Sequence, residues 1–219
     1  MADHGHVRSF HLDGPAGKLE ALLNVGSPTA EYAAIVTHPH PLYGGTMHNK
    51  VVFHAMKALH SFGFPVLRFN FRGTGTSAGE HDYGRGEIDD VRTALRWMRD
   101  EFHLPIVFAG FSFGSATGMR AACPDPEVEA LISLGTPINA EGRLYTYALL
   151  EECTKPKLFV SGDHDEFAPV AMLAKVVDLA AEPKRFVLVK DADHFFAEHL
   201  DEMRAAIVLW IGETLGVSR

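Results

Sequence analysis

Runs of apolar residues long enough for a β-strand alternate in this chain with segments long enough for a helix. A run that is apolar at every position is typical of a strand covered on both faces, because an exposed face would show polar residues at every second position. Parallel strands also need a crossover of helical length between them. Strands are predicted at residues 32–37, 65–70, 105–109, 130–134, 157–160 and 185–189, and the first of them is a continuous apolar run. The pattern predicts an α/β fold, a doubly wound, mostly parallel sheet with helices on both faces.

The segments between these runs carry the signals of connecting helices. Residues 87–102 show the clearest amphipathic pattern, with apolar residues at helical spacing and Asp and Arg on the other face. Residues 7–12 and 18–25 alternate around a turn that contains Gly and Pro, which predicts an antiparallel hairpin. Further helices are expected at 49–61, after the 105–109 run to about residue 123, at 169–180 and at 198–215, with one short helix within 138–152. No insertion is long enough for a large lid.

The sequence GFSFG at residues 110–114 lies directly after one predicted strand and before a predicted helix. It fits the G-x-S-x-G pattern of a nucleophile elbow, a sharp and strained turn that projects a serine hydroxyl from the end of the sheet. Gly110 and Gly114 suit such a turn because, without a Cβ, they let the neighbouring chain pass close by. An ordinary strand–turn–helix connection that contains a serine fits these five residues as well. Ser112 is therefore a candidate nucleophile that needs a base, an acid and an oxyanion hole.

Polar residues after other predicted strands supply candidates for the base and the acid. Asp163 and Asp165 follow the 157–160 run, and His194 follows the 185–189 run. In open α/β sheets such residues gather at the carboxyl ends of the strands, and the chain order Ser, Asp, His is the one used with a nucleophile elbow. His194 would take the serine proton and return it to the leaving group, while an aspartate would hold the imidazole tautomer. On the residues alone, Asp163 and Asp165 both fit the role of the acid.

Taken in order, these motifs resemble the α/β-hydrolase superfamily, and within it the small, lidless esterases that are similar to dienelactone hydrolase. More narrowly, the chain resembles bacterial predicted hydrolases with an H-P-H-P-x-x-G-G loop. The resemblance implies an α/β-hydrolase fold and a serine hydrolase that cleaves small or short-chain carboxylic esters through an acyl-enzyme. Dienelactone hydrolases proper use a cysteine nucleophile, so their substrate is not implied for a chain with Ser112. The matching stretches are residues 38–45 (HPHPLYGG), 69–75 (FNFRGTG), 110–114 (GFSFG), 161–165 (SGDHD) and 192–196 (ADHFF).

The resemblance also assigns roles around the candidate nucleophile. The pattern G-x-x-D after the penultimate strand selects Asp165 as the acid. The oxyanion hole needs two donors, and the Phe113 backbone N–H, directly after the nucleophile, is one of them. Pro39 and Pro41 have no N–H to give, so comparison with the family's loop makes the Leu42 amide the expected second donor, with Tyr43 as the alternative. From their positions beside the candidate site, Tyr43, Phe111, Phe167 and Phe195 are expected to line a substrate pocket, although phenylalanines near strand ends are at least as often core residues.

Composition argues against several classes of partner. A net charge of −8 disfavours nucleic acid, whose binding needs a basic face. No apolar run approaches the roughly 20 residues of a membrane span. Two cysteines without a C-x-x-C pairing, and no apolar stretch of signal-peptide length, predict a cytoplasmic setting. At 219 residues we expect a single domain, residues 1–219; nothing in the sequence indicates an oligomeric state.

We expect neither a cofactor nor a metal. Residues 72–77, RGTGTS, slightly resemble a phosphate-binding loop but lack its Gly-Lys-Ser/Thr ending. His38 and His40 have no matched set of Cys, His or Asp at ligand spacing. A serine site explains more of these residues than a metal site does.

Other functions remain open on the sequence. Amide, peptide or thioester hydrolysis would use the same triad, because the pocket and the leaving group decide between them. Peptidases of this superfamily generally carry a cap or a propeller, and no such segment is present. A catalytically silent binding module is a further alternative, but such proteins typically lack a member of the triad.

Overall fold

Eight strands form one sheet in the computed structural model, which describes residues 6–140 and 143–219. Its strand order is β1-β2-β4-β3-β5-β6-β9-β10. Strands β3, β4, β5, β6, β9 and β10 are mutually parallel, while the β1–β2 hairpin joins the β4 edge in antiparallel fashion. The strands are β1 (Val7–Gly14), β2 (Gly17–Asn24), β3 (Ala33–Thr37), β4 (Val66–Phe69), β5 (Ile106–Phe111), β6 (Val128–Leu134), β9 (Lys157–Gly162) and β10 (Lys184–Val189), with β7 (Asn139–Ala140) and β8 (Arg143–Leu144) forming a separate ribbon. The predicted fold class is confirmed.

Helices cover both faces of the sheet. Alternate residues of β5 point to opposite faces, so that Ile106 and Phe108 join one apolar core while Val107 and Ala109 join the other. The first core includes α2, α3 and α4, and the second includes α1 and α5. This two-sided burial explains why the central strands are apolar at nearly every position. The helices are α1 (Lys50–His60), α2 (Gly86–Phe102), α3 (Phe113–Ala122), α4 (Val170–Leu179) and α5 (Leu200–Leu215).

The segment between β6 and β9 differs in part from its prediction. The sequence predicts one short helix within residues 138–152, and the described part of this segment contains one 3₁₀ turn, Ala148–Glu151. The β7–β8 ribbon precedes it, and residues 141 and 142 lie outside the described residues. The Tyr147 hydroxyl donates to the Pro137 carbonyl oxygen at 2.6 Å, which holds this segment against the end of β6. The described residues of this short segment thus form no large lid.

Across the described ranges, no helix combines the length and the apolar character needed to cross a membrane.

Candidate active site

Ser112 stands between β5 and α3 with backbone angles of φ 53° and ψ −123°. A positive φ is unfavourable for a residue with a side chain, so the fold holds this serine in a strained turn. A Cβ at residue 110 would lie 2.6 Å from the Ser115 Cα, and one at residue 114 would overlap the His38 carbonyl oxygen. Both glycines of the motif are therefore required by close backbone approach, and the turn has the geometry of a nucleophile elbow.

His194 connects this serine to a buried carboxylate. Its Nε2 lies 2.9 Å from the Ser112 Oγ, and its Nδ1 lies 2.8 Å from the Asp165 Oδ2. The His194 side chain is 5% exposed and that of Asp165 is 0% exposed. Because a carboxylate only accepts, Nδ1 carries the proton and Nε2 is free to accept from the serine hydroxyl. The three side chains thus form one hydrogen-bonded series. Asp165 follows β9, His194 follows β10, and Ser112 follows β5.

The geometry distinguishes Asp165 from its neighbours. The Phe167 and Ala168 amides donate to its Oδ1 at 2.9 and 3.1 Å, and the Ser161 hydroxyl donates to its Oδ2 at 3.2 Å. Asp163 makes no hydrogen bond or ion pair with His194, and no described group bonds its buried Oδ1. Asp165, and not Asp163, is therefore the carboxylate that hydrogen-bonds His194.

The loop after β3 is held rigidly beside the elbow. The Thr37 hydroxyl donates to the Gly114 carbonyl oxygen at 2.9 Å. His38 Nδ1 lies 2.7 Å from the Pro39 carbonyl oxygen, and the Phe71 amide donates to His38 Nε2 at 3.0 Å. Complete burial lowers the pKa of His38 to about 4. The imidazole is therefore neutral, donates through one nitrogen and accepts through the other, and ties the loop to the end of β4.

The expectation that Leu42 is the second oxyanion donor is wrong. Pro41–Tyr43 forms a 3₁₀ turn, in which the Leu42 amide donates to His40 Nδ1 at 3.2 Å and the Tyr43 amide to the His40 carbonyl oxygen at 3.1 Å. The Leu42 side chain is 63% exposed. Neither amide is available to an oxyanion in this arrangement. Among the described residues, the backbone N–H groups of His40 and Phe113 have no acceptor.

Ser112 and His194 open on a cavity of about 450 Å³. Tyr43, Phe167 and Phe195 line it, as expected from the sequence. Sequence reasoning missed several other lining residues. These are Pro39, His40, Gly44, Gly45 and Asn49 from the loop after β3 and the start of α1, and Pro137, Arg143 and Tyr145 from the β6–β9 segment.

Phe111 does not line the cavity, so its assignment as a substrate-binding residue is wrong. Its side chain is fully buried, and its ring centroid lies 5.0 Å from that of His194. Phe111 is the last residue of β5 and belongs to the core shared with α1 and α5. The Phe111 ring packs against the His194 imidazole and does not face the cavity.

A small cluster of Asp163, His164 and Asp191 lies close to the Asp165 loop, with one potential ligand atom from each within 4.8 Å of the others. Two of the three are exposed, and exposed acidic groups are common without a metal. His38 and His40 do not belong to it. The cluster makes no hydrogen bond or ion pair with Ser112 or His194.

Comparison with known families agrees with this geometry. The family model described as "Alpha/beta hydrolase domain" matches residues 35–206, which include the loop after β3, the elbow and the His194 loop. The chain belongs to the α/β-hydrolase family. This α/β hydrolase is also similar to an uncharacterized protein, RP471, of Rickettsia prowazekii, with 34% identity over 206 residues that cover 90% of this chain and 86% of that protein.

Solved structures show the same architecture. XC6422 from Xanthomonas campestris, described as an α/β serine hydrolase without a lid, is 34% identical with a TM-score of 0.85, and the match covers 95% of each chain. An α/β serine hydrolase homologue from Coxiella burnetii is 37% identical with a TM-score of 0.84, covering 95% of this chain and 97% of that one. Together with the family match, these likenesses identify a hydrolase of the small, lidless type.

Proposed function

We propose that this α/β hydrolase is a serine esterase that cleaves small or short-chain carboxylic esters through an acyl-enzyme. The observation that carries the proposal is the hydrogen-bonded series from Asp165 through His194 to Ser112, which ends at the wall of an open cavity. A neutral serine hydroxyl is a weak nucleophile, and a base within hydrogen-bond reach is what activates it.

In the first half of the reaction, His194 accepts the Ser112 proton as Oγ attacks the ester carbonyl. Asp165 stabilises the imidazolium that forms and keeps its ring in place. His194 then donates the proton to the leaving alcohol, and the acyl group stays on Ser112. In the second half, a water molecule takes the place of the alcohol, and the same transfers release the carboxylic acid.

The oxyanion that develops in both halves needs two donors. Phe113 and His40 supply them in this proposal, since their backbone N–H groups have no acceptor among the described residues and both flank Ser112. His40 replaces Leu42 in this role because the 3₁₀ turn engages the Leu42 amide. The hydrogen bonds of His38 hold the His40 peptide at this place.

The size and shape of the cavity favour small substrates. About 450 Å³ accommodates a compact ligand of the size that enzyme pockets usually take. No large lid covers the opening, so a long acyl chain would extend into water. The same triad would serve thioesters and amides, and the assay below includes both as outcomes.

The test compares wild type with Ser112→Ala on 4-nitrophenyl acetate, butyrate and decanoate, and on the matched thioester and anilide of butyrate. We expect the butyrate and acetate esters to be the best substrates, and the variant to lose about 10⁴-fold or more in kcat. A fluorophosphonate probe should label wild type and not Ser112→Ala.

Ser61→Ala provides the matched control, because its hydroxyl bonds the Ala58 carbonyl oxygen at the far end of α1. It should retain wild-type turnover. Unchanged turnover in Ser112→Ala would remove the proposed mechanism. Folded wild type that neither turns over any substrate nor reacts with the probe would identify a silent binding module.

A further inference from the structure

A second cavity, of about 280 Å³, adjoins the one at Ser112. The two share His40, Arg143 and Tyr145 as common walls. The second cavity extends from there towards α3, where Thr117 and Arg120 line it. A ligand bound at Ser112 can therefore place part of its structure in a neighbouring compartment of different character.

The second compartment is cationic in an acidic protein. The chain carries 28 Asp and Glu against 20 Lys and Arg, yet the described residues that line the two cavities include two arginines and no Asp or Glu. His40 does not add charge, because burial and the adjacent Arg143 lower its pKa to about 3. The positive charge of this region therefore comes from the two guanidinium groups.

Arg143 is held in place by aromatic side chains. Its Cζ lies 4.8 Å from the centroid of the Tyr43 ring, and Tyr145 lines the same two cavities. Neither Arg143 nor Arg120 has a carboxylate partner among the described residues. A cation–π contact orients a guanidinium without neutralising it, so its planar set of donors remains available to an anion.

We propose that this second cavity binds an anionic group of the substrate, a carboxylate or a phosphate, through Arg143 with support from Arg120. The inference rests on the proposed esterase function at Ser112 and narrows its substrate class. The preferred ester then has its scissile carbonyl at Ser112 and a negative charge a few bonds away, on either the acyl or the alcohol side. A guanidinium matches both anions because each can accept two parallel hydrogen bonds.

The alternative is that both arginines serve the fold alone. Arg120 lies in the last turn of α3, where a cation stabilises the helix dipole, and Arg143 packs on Tyr43. A purely structural role would leave substrate preference unchanged when the arginines are replaced, so the test measures preference.

The test uses esters that differ only in charge. On the acyl side, mono-4-nitrophenyl adipate is compared with its terminal amide, 4-nitrophenyl adipamate. On the alcohol side, 4-carboxyphenyl and 4-phosphonooxyphenyl butyrate are compared with 4-carbamoylphenyl butyrate. We expect the wild-type kcat/KM to be about tenfold or more higher for the anionic ester than for its neutral partner, on either the acyl or the alcohol side. Comparison of the carboxyphenyl and phosphonooxyphenyl esters then shows whether the site prefers a carboxylate or a phosphate. Added salt should reduce this preference.

Arg143→Gln should lower the preference by about tenfold, as expected for loss of a charge-assisted hydrogen bond, and Arg143→Lys should restore part of it. Arg120→Gln should lower it less. Arg92→Gln is the matched control, since it removes an exposed arginine of α2 that pairs with Asp89. It should retain the wild-type preference.

The outcomes separate this inference from the proposed function. If wild type shows no preference on either side, or if Arg143→Gln retains it, the anion site is wrong while the esterase stands. If Ser112→Ala still hydrolyses these esters, the proposed function itself fails. Thermal unfolding of each variant shows whether a loss reflects folding, and the partial rescue by lysine distinguishes charge from packing.

Discussion

Asp165 illustrates how much one side chain depends on its immediate surroundings. Two backbone amides and the Ser161 hydroxyl donate to its oxygens, so these bonds hold the carboxylate in place independently of His194. Oδ2 also accepts a hydrogen bond from His194 Nδ1 at 2.8 Å. A carboxylate that accepts this many hydrogen bonds has little freedom to reorient, which suits the role of orienting His194 that we propose for it.

Asp165→Asn is expected to reduce kcat on 4-nitrophenyl butyrate by about 10³-fold or more. The side-chain NH₂ group of asparagine would face donors of the loop or of His194 in place of an acceptor. Asparagine therefore no longer favours the His194 tautomer that carries its proton on Nδ1. Asp163→Asn is the matched control, two residues away in the same loop, and should change kcat by less than about tenfold. An equal loss in both variants would assign the acid's role to the pair.

At the scale of elements, helix α3 packs directly against strand β5. Its residue 118 is a glycine, and a Cβ there would overlap the Phe108 ring, which is fully buried. Helix α5 also contains a glycine, Gly212, where an added Cβ meets nothing closer than the Val217 carbonyl oxygen at 3.5 Å.

These two glycines should respond in opposite directions to alanine. Gly212→Ala is expected to raise the free energy of unfolding by roughly 0.5–1 kcal/mol, because alanine is the better helix former. Gly118→Ala gains the same propensity but must displace Phe108, and overpacking of this kind costs about 1–3 kcal/mol. Urea unfolding of both variants measures the difference. Stabilisation at both positions would contradict the packing argument.

The loop after β3 is where the prediction from the sequence was wrong about a hydrogen-bond donor. Pro39 and Pro41, on either side of His40, have no N–H, and comparison with the family's loop predicts the Leu42 amide as the donor. The structure folds residues 41–43 into a turn whose amides return to His40. A local turn of this kind depends on hydrogen bonds between residues two or three apart, and the motif alone does not determine them.

For the molecule as a whole, buried histidines make stability depend on pH. His38 is fully buried, and burial lowers its pKa from an ordinary 6.5 to about 4 in the folded state. The unfolded chain takes up a proton near pH 6.5, whereas the folded chain resists protonation until about pH 4. The contribution to stability is thus fully present above pH 6.5 and is lost as the pH falls towards 4. The lowered pKa of His40 acts in the same direction.

We expect the free energy of unfolding to fall by roughly 3 kcal/mol from His38 alone between pH 6.5 and 4, at about 1.4 kcal/mol per pKa unit. Urea unfolding at intervals across this range measures the slope. His38→Gln should be less stable at pH 7.5 and show a shallower slope on the acid side. The same replacement at the exposed His11 of β1 should retain the wild-type slope, and an unchanged slope in His38→Gln would contradict the assignment.

Much of this architecture was predictable because its signals are local in the chain. The continuous apolar runs reflect strands buried on both faces, and the spacing of Gly110, Ser112 and Gly114 reflects a turn with no room for other side chains. The motifs that carry the resemblance also placed His194 and Asp165 after the correct strands. Each of these requirements is imposed on a residue by its own backbone and immediate neighbours.

The tertiary structure decided which groups meet. It brought Asp165, and not Asp163, to His194, and it packed the buried Phe111 against the imidazole. It also placed Arg143, from the segment between β6 and β9, at the wall that joins the two cavities. These outcomes depend on packing between residues far apart in the chain. The sequence indicates which chemical role each side chain can take, while only the folded chain determines which hydrogen-bonding or packing partner lies within reach of it.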